Sequence, residues 1–465
     1  MQNDSLRPFF EPQGVVLVGA TRTPGFGYGI PLVLQRQGWA DRVSLVNPAG
    51  GTLHGMPLYP ELSDVPDPVD LAVILMPARL VPDALRQVGA RGIRHAVIES
   101  AGFAEIGSEG ADLQRAALQA AQEAGVRVIG PNCVGVVNTA NAFTTVEVVP
   151  EALHPGPVAI IAQSGVFGNI LLDDLPERGV FISKAVTLGN RLDVNECDVL
   201  EYLHADPDSR VIMMYLEGAA DGRRLVATLK KVCRDKPVLI LKGGRTAVGR
   251  AATASHTASL SGEDALYDAA FKEAGAIRAE SLDELIDLVR VFASQPLPAG
   301  NRLSILTGSG SLGVLASDRA ASLGLELPDL AAATVARVKE GAPAWMNVRN
   351  PLDTGPSGLF GTALAALMDD DATDMVLPIV VLPYAVFSYF ESLGLTAAMY
   401  FGDIAAVRRL RPDKPLVACV VGNDRFAASI GAISGEETPI FRSPEPAARA
   451  LAALASYADW RKSAT

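Results

Sequence analysis

Four short apolar runs, each ending in a turn of glycines, hydroxyls or both, constrain this chain more than any other feature. Val15–Val18 leads into Gly19-Ala20-Thr21-Arg22, and Val158–Ala162 into Gln163-Ser164-Gly165. Residues 237–241 lead into Lys242-Gly243-Gly244, and 303–306 into Thr307-Gly308-Ser309-Gly310. A strand that ends in such a turn and opens a helix is the unit of a parallel, doubly wound sheet. Runs at Val43–Val46, 71–75, 96–98 and 126–129 continue the alternation, with helical patterns at 82–90 and 110–124 between them. The expected fold class is α/β, in three consecutive parallel-sheet domains.

The boundaries follow from the breakers. Pro155-Gly156-Pro157 ends the first unit, and the proline-rich segment Ala293-Ser294-Gln295-Pro296-Leu297-Pro298-Ala299-Gly300 is a linker. The expected domains are 1–150, 151–292 and 300–465, in keeping with the length of 465 residues. A net charge of −12, without a dense Lys/Arg block, argues against a nucleic-acid partner. The four cysteines are scattered and form no CxxC pair, which fits free thiols in a reducing cytosol and predicts no metal site. MQNDSLRPFF has no apolar core, so no signal peptide is expected. The most apolar stretch, 375–387, is too short for a bilayer and contains Pro378 and Pro383, so it predicts a buried strand running into a loop. These features predict a cytoplasmic protein with no membrane partner.

In a doubly wound sheet the strand ends line the ligand crevice. A dinucleotide site usually has an acid at the end of the second strand, to hold ribose hydroxyls. This chain has Asn47-Pro48 there. That argues against NAD and suits a ribose carrying a 3′-phosphate, as in coenzyme A. Two further turns, Glu99-Ser100-Ala101-Gly102-Phe103 and Gly130-Pro131-Asn132-Cys133-Val134-Gly135, also follow strands.

The stretch 242–262, KGGRTAVGRAATASHTASLSG, reads as a loop between a strand and a helix that starts at Glu263. It carries Lys242, Arg245, Arg250 and one of only five histidines, His256. Glu217 ends the apolar run 211–216. It could be a solvated strand cap, or the acceptor that holds one ring nitrogen of a working histidine. Ser164 opens a helix and could be an ordinary N-cap or part of a small anion site. The turn Thr307-Gly308-Ser309-Gly310-Ser311-Leu312-Gly313 has the same make-up before a helix expected over 314–323.

Taken together and in order, the turn after the first strand, VNP, the proline of LMPA (Pro77), ESAGF and GPNCVG resemble the CoA-binding domain of the NDP-forming acyl-CoA synthetases, relatives of succinyl-CoA synthetase. SHTASLSG resembles that family's phosphohistidine loop, usually SHTGSLAG, and departs from it at Ala258 and Ser261. YLEG resembles the strand end carrying the glutamate that orients the histidine, and QSG the phosphate-binding helix start. TGSGS resembles the turn of the ligase-CoA domain, often TNGGG. The resemblance implies a Rossmann-like CoA-binding domain followed by two flavodoxin-like, succinyl-CoA synthetase-like domains. It implies CoA contacts at Gly19, Ala20, Thr21, Arg22, Asn47, Pro48, Pro77, Ser100, Ala101, Gly102, Asn132 and Cys133. It further implies His256 as nucleophile, Glu217 as its partner, and phosphate contacts at Ser164, Gly165, Gly310 and Gly313.

The implied protein is an alpha-type subunit, an acid-thiol ligase. It interconverts acyl-CoA, phosphate and NDP with carboxylate, CoA and NTP through an acyl phosphate and a phosphohistidine. The chain has no G-x-x-x-x-G-K-[ST] motif. The resemblance therefore implies a hetero-oligomer with an ATP-grasp beta-type subunit that holds ATP or ADP and Mg2+. Two other readings stay open: a non-catalytic CoA or acyl-CoA-binding regulatory protein of the same fold, and an NAD-linked oxidoreductase, against which Asn47 argues.

Overall fold

The computed structural model describes residues 3–147, 153–257 and 263–464. The chain forms two compact units, Met1–Leu285 and Ile286–Thr465. The first holds two seven-stranded sheets and the second a five-stranded sheet. All three are dominated by parallel pairs, as the strand–turn–helix alternation predicts.

The first sheet contains β1 (Val15–Val18), β2 (Val43–Val46), β3 (Gly51–Leu53), β4 (Met56–Tyr59), β5 (Leu71–Ile74), β6 (His95–Ile98) and β7 (Arg127–Ile129), in the order β3-β4-β2-β1-β5-β6-β7. Only the β3–β4 hairpin at the edge is antiparallel. Every residue of β1 and β5 is buried, because helices cover both faces of a parallel sheet and leave no solvent side to mark with polar residues. The helices Val81–Ala90 and Ser108–Ala124 pack together through small residues. A Cβ on Gly89 would lie 2.5 Å from that of Ala124, so the glycine sets how closely they approach.

The second sheet contains β8 (Val136–Asn138), β9 (Phe143–Thr144), β10 (Val158–Ala162), β11 (Ile182–Thr187), β12 (Val211–Leu216), β13 (Val238–Lys242) and β14 (Ile277–Ala279), in the order β14-β13-β12-β10-β11-β8-β9. β8 and β9 precede the Pro155-Gly156-Pro157 break, yet β8 pairs antiparallel with β11, matching Val136 to Val186. The stretch read as a loop from 242 to 262 contains a helix, Ala247–Thr257, with His256 in its last turn. Its alanines have the highest helix propensity. They make no wide apolar stripe, and Val248 is 81% exposed, so hydrophobic periodicity is silent there.

The second unit contains β15 (Leu303–Thr307), β16 (Leu352–Asp353), β17 (Met375–Val381), β18 (Ala418–Val421) and β19 (Ile440–Phe441), all parallel, in the order β16-β15-β17-β18-β19. Its core includes Phe360, Phe387, Phe401 and Phe426. The apolar stretch 375–387 is a buried strand that runs into the helix Tyr384–Ser392 rather than a loop, with Pro383 as its N-cap residue. The helix expected over 314–323 starts earlier, at Gly310, inside the glycine turn. Among the described residues no helix is long and apolar enough to cross a membrane.

Candidate active site

In each sheet the strand order reverses beside one strand: β1 between β2 and β5, β10 between β11 and β12, and β15 between β16 and β17. Crevices open at such switch points, outside the carboxyl ends of the strands. Three of the four strand-ending turns singled out in the sequence, those after Val18, Ala162 and Leu306, follow these three strands.

At the first switch point the backbone of Gly19 (φ +92°) lies against β5's end, where an added Cβ would stand 2.9 Å from Met76 Cγ. The Gly19 and Ala20 amides both donate to the Val46 carbonyl, at 3.0 and 3.2 Å. Asn47 ties the neighbouring turn in: its Nδ2 donates to the Ala20 carbonyl at 2.8 Å and its Oδ1 accepts from the Ala49 amide at 3.0 Å. Thr21 Oγ1 accepts from the Thr23 amide, and the exposed Arg22 donates to the Gly50 carbonyl. A cavity of about 750 Å³ opens here, lined in part by Gly19, Pro48, Glu61, Met76, Asp83 and Arg91. Its size suits a small-molecule ligand.

The remaining predicted CoA contacts divide by exposure. Pro77 and Ala101 are exposed, and Gly102 and Asn132 half-buried. Ser100 is buried and its hydroxyl donates to the Ile74 carbonyl at 3.3 Å. Cys133 is also buried, with its thiol directed at the Ile98 carbonyl at 3.4 Å. Burial, with Glu99 beside it, pushes that thiol far above its usual range. The Cys133 side chain therefore serves the turn, while Asn132 (φ +59°) reaches the Asn190 side chain at 3.4 Å.

The turn containing Cys133 continues into the second sheet's crevice. The Thr187 hydroxyl accepts from the Val134 amide at 2.9 Å, and the Asn190 amide donates to the Pro131 carbonyl at 2.9 Å. Val134 also packs against Gly165, where a Cβ would fall 2.9 Å from Val134 Cγ1. Ser164 is the N-cap residue of the helix Gly165–Glu177, but its side chain makes no capping bond. Gln163 Nε2 donates to the Gly218 carbonyl at 3.1 Å, and Gln163 Oε1 accepts from the Glu217 and Gly218 amides. The helix start at Ser164-Gly165 and the backbone at Glu217-Gly218 are thus tied together across β10 and β12.

Glu217 is 3% exposed, and its Oε1 accepts from the Tyr215 hydroxyl at 3.3 Å. Burial and the neighbouring Glu217 charge hold the Tyr215 phenol up at about 12, so it stays a donor. Arg191 donates to the Gly218 carbonyl at 2.6 Å and pairs with Glu196 at 3.1 Å. His256 belongs to the helix that follows β13, but its side chain and any pairing with Glu217 lie outside the described residues, as do Ala258 and Ser261.

In the second unit, Gly310 opens the helix Gly310–Ser322 beside Asp353, whose Oδ2 would lie 3.1 Å from an added Cβ. Gly313 faces inward, 3.2 Å by the same measure from Thr307 Cγ2. Gly313 is therefore a packing glycine, and any anion at Gly310 meets a carboxylate.

The structural roles of three residues escaped the sequence reading. Gln163 and Glu105 act as connectors: Glu105 accepts from the Gly102 amide at 2.6 Å and from Asn190 Nδ2 at 2.6 Å. Glu99, 3% exposed at the end of β6, lies beside the Thr145 side chain and leaves its Oε1 without a hydrogen-bond partner. Burial pushes its carboxyl well above the usual range, and the Glu147 charge adds to this. The ESAGF turn contains Glu99, but nothing in the sequence marks it as buried.

Residues 13–139 match the CoA binding domain family, and residues 155–292 match the succinyl-CoA ligase-like flavodoxin domain family. The chain is 33% identical to the alpha subunit of ADP-forming acetate–CoA ligase I of Pyrococcus furiosus, over 98% of each chain. It is 35% identical to ADP-forming acetate–CoA ligase II of Archaeoglobus fulgidus, over 98% of this chain and 67% of that one. A dinucleotide-forming acetyl-coenzyme A synthetase 1 of Candidatus Korarchaeum cryptofilum, solved with phosphate and ADP, superposes with a TM-score of 0.89 at 31% identity, covering 99% of this chain and 98% of that one. Two matched domains, with their crevices at strand-order reversals, define a CoA-handling ligase of the acid-thiol class. The chain belongs to the ADP-forming acyl-CoA synthetases, as an alpha-type subunit.

Proposed function

We propose that this subunit binds CoA in the first crevice and carries a phosphoryl group on His256 in the second. Phosphate oxygen attacks the acyl-CoA carbonyl carbon, the C–S bond breaks, and the CoA thiolate takes up a proton. An imidazole nitrogen of His256 then attacks the acyl phosphate's phosphorus and releases the carboxylate. The β-phosphate oxygen of ADP finally attacks the phosphohistidine, giving ATP and restoring the imidazole. Glu217 holds the ring, and the helix start at Ser164-Gly165 faces the phosphoryl charge, where N–H groups and the helix dipole favour an anion. The ATP-grasp beta-type partner supplies the nucleotide site and Mg2+, so the working enzyme is a cytoplasmic hetero-oligomer.

The observation that carries this reading is Gln163, which locks the helix start and Glu217 into one crevice. Gly310 and Gly313 are the weaker half of the phosphate assignment, because Asp353 stands beside Gly310. The test is His256→Asn, assayed with the partner for ATP formation from acyl-CoA, phosphate and ADP. ATP formation should vanish while CoA binding, measured by calorimetry, stays at the wild-type level. Surviving ATP formation would refute the phosphohistidine route.

A further inference from the structure

We propose that Lys242 is a positioning residue for the His256 segment, clamping both ends of that segment to the strand end that carries Glu217. This rests on the phosphoryl-carrier reading above. Lys242 is the last residue of β13 and is 2% exposed. Its ammonium donates to the Glu217 carbonyl at 2.7 Å and to the Gly243 carbonyl. It also sits 4.6 Å from the centroid of the Tyr267 ring. These three contacts reach three different elements.

Glu217 ends β12. Gly243 and Gly244 (φ +67°) form the turn before the helix Ala247–Thr257, so they are the upstream pivot of the segment. Tyr267 belongs to the helix Asp264–Ala274, the downstream flank, and its hydroxyl accepts from the Ala219 amide at 3.0 Å. Ion pairs reinforce the same closure. Arg245 lies 3.6 Å from Asp264, and Asp264 is fastened to Arg278 at 2.6 Å. A histidine that carries a phosphoryl group needs its flanks fixed, since motion there would misplace it relative to the reacting groups.

A core lysine whose only task was packing would be costly, because burying an ammonium is expensive unless its donors are used. Here two donors are spent on the backbone of the two elements that the chemistry must align. The charged and titratable groups around it are Glu217 and Tyr215 from β12, Asp264 from the downstream helix, Arg278 from β14 and Arg250 from the upstream helix. Burial, helped by the Arg278 charge and opposed by that of Asp264, holds the ammonium down to about 8. The cation–π contact and the charge-assisted bonds are therefore full below that pH and fade above it.

The experiment follows phosphorylation of His256 by ATP and Mg2+ in the complex with the partner, using the wild type, Lys242→Arg and Lys242→Met from pH 6.5 to 9.5. In the wild type the rate should fall as the pH passes about 8. Lys242→Arg keeps its charge throughout this range, so that alkaline fall should disappear and the neutral rate should stay within about threefold. Lys242→Met should phosphorylate at least about tenfold more slowly at pH 7, while calorimetry finds CoA binding unchanged.

The proposal is overturned if Lys242→Arg keeps the wild-type alkaline fall, or if Lys242→Met phosphorylates at the wild-type rate. Should Lys242→Met fail to fold, the Lys242→Arg profile alone decides. A wild type that is never phosphorylated on His256 refutes the carrier reading itself. A labelled wild type with indifferent Lys242 variants refutes only the clamp.

Discussion

Replacing Glu99 by glutamine should make the first sheet more stable at neutral pH, by an amount that grows with pH. Glu99 is 3% exposed at the end of β6, and burial raises its carboxyl well above the ordinary value of 4.5. In the unfolded chain the same group ionises near that ordinary value. Between the two, the folded state binds the extra proton, so stability falls as pH rises. The favourable contribution is complete below the unfolded value and lost as pH climbs toward the folded one.

The slope is at most about 1.4 kcal/mol per pH unit, so the two units from pH 5.5 to 7.5 are worth up to about 2.7 kcal/mol. Glutamine has nearly the same shape and no such slope. Amide exchange read by mass spectrometry on peptides covering β5 and β6, at matched pH for both proteins, measures the difference directly. Between pH 5.5 and 7.5 the protection of the variant relative to the wild type should grow by up to about 100-fold. A variant-to-wild-type ratio that stays constant across this range would show that Glu99 is ionised in the fold, and the assignment of a buried neutral acid would fail.

Two other substitutions probe the crevices. Asn47→Asp removes the donor to the Ala20 carbonyl and adds a negative charge where the ribose phosphate would sit; calorimetry should find CoA binding weakened by about tenfold or more, on the order of 1.5–3 kcal/mol. Gly135→Ala forces a side chain onto a residue at φ +100°, with its Cβ 2.7 Å from Glu99 Oε1 and overlapping the Thr145 hydroxyl; thermal unfolding should show a loss on the order of 2 kcal/mol or more.

Much of the fold is legible because buried parallel strands write themselves as continuous β-branched runs. Val15–Val18, Val43–Val46 and Val158–Ala162 fall where the sequence places them. Helices with a strong apolar stripe, such as Val81–Ala90, are equally plain. What escaped detection is non-local or lacks periodicity. Nothing near Val136 announces that it pairs with Val186 in the next sheet. The helix Ala247–Thr257 is built from alanines and exposed positions, so its small residues resemble a loop. Ser443 is the N-cap residue of the helix Pro444–Ser463, yet its hydroxyl makes no capping bond.

The candidate site follows the same division. The turns could be read because glycines cluster where backbones approach closely, as at Gly19. Their connectors could not. Gln163 reaches residues 54 and 55 positions away, and Glu147 caps the Gly27 and Gly29 amides from 120 and 118 positions away. Such partners are set by chain topology, and no local spacing encodes them. The role of Lys242 was hidden for a different reason, since a lysine at the end of a strand usually faces water.

The central claim is that His256 carries the phosphoryl group, and the most direct measurement is where that group resides. The chain is incubated with ATP and Mg2+, with and without an ATP-grasp beta-type partner, and then digested at alkaline pH for fragmentation mass spectrometry. The account predicts an acid-labile phosphoryl group on His256 only when the partner is present, removed on adding ADP. A phosphoryl group on any other residue, on His256 without the partner, or none at all would contradict it.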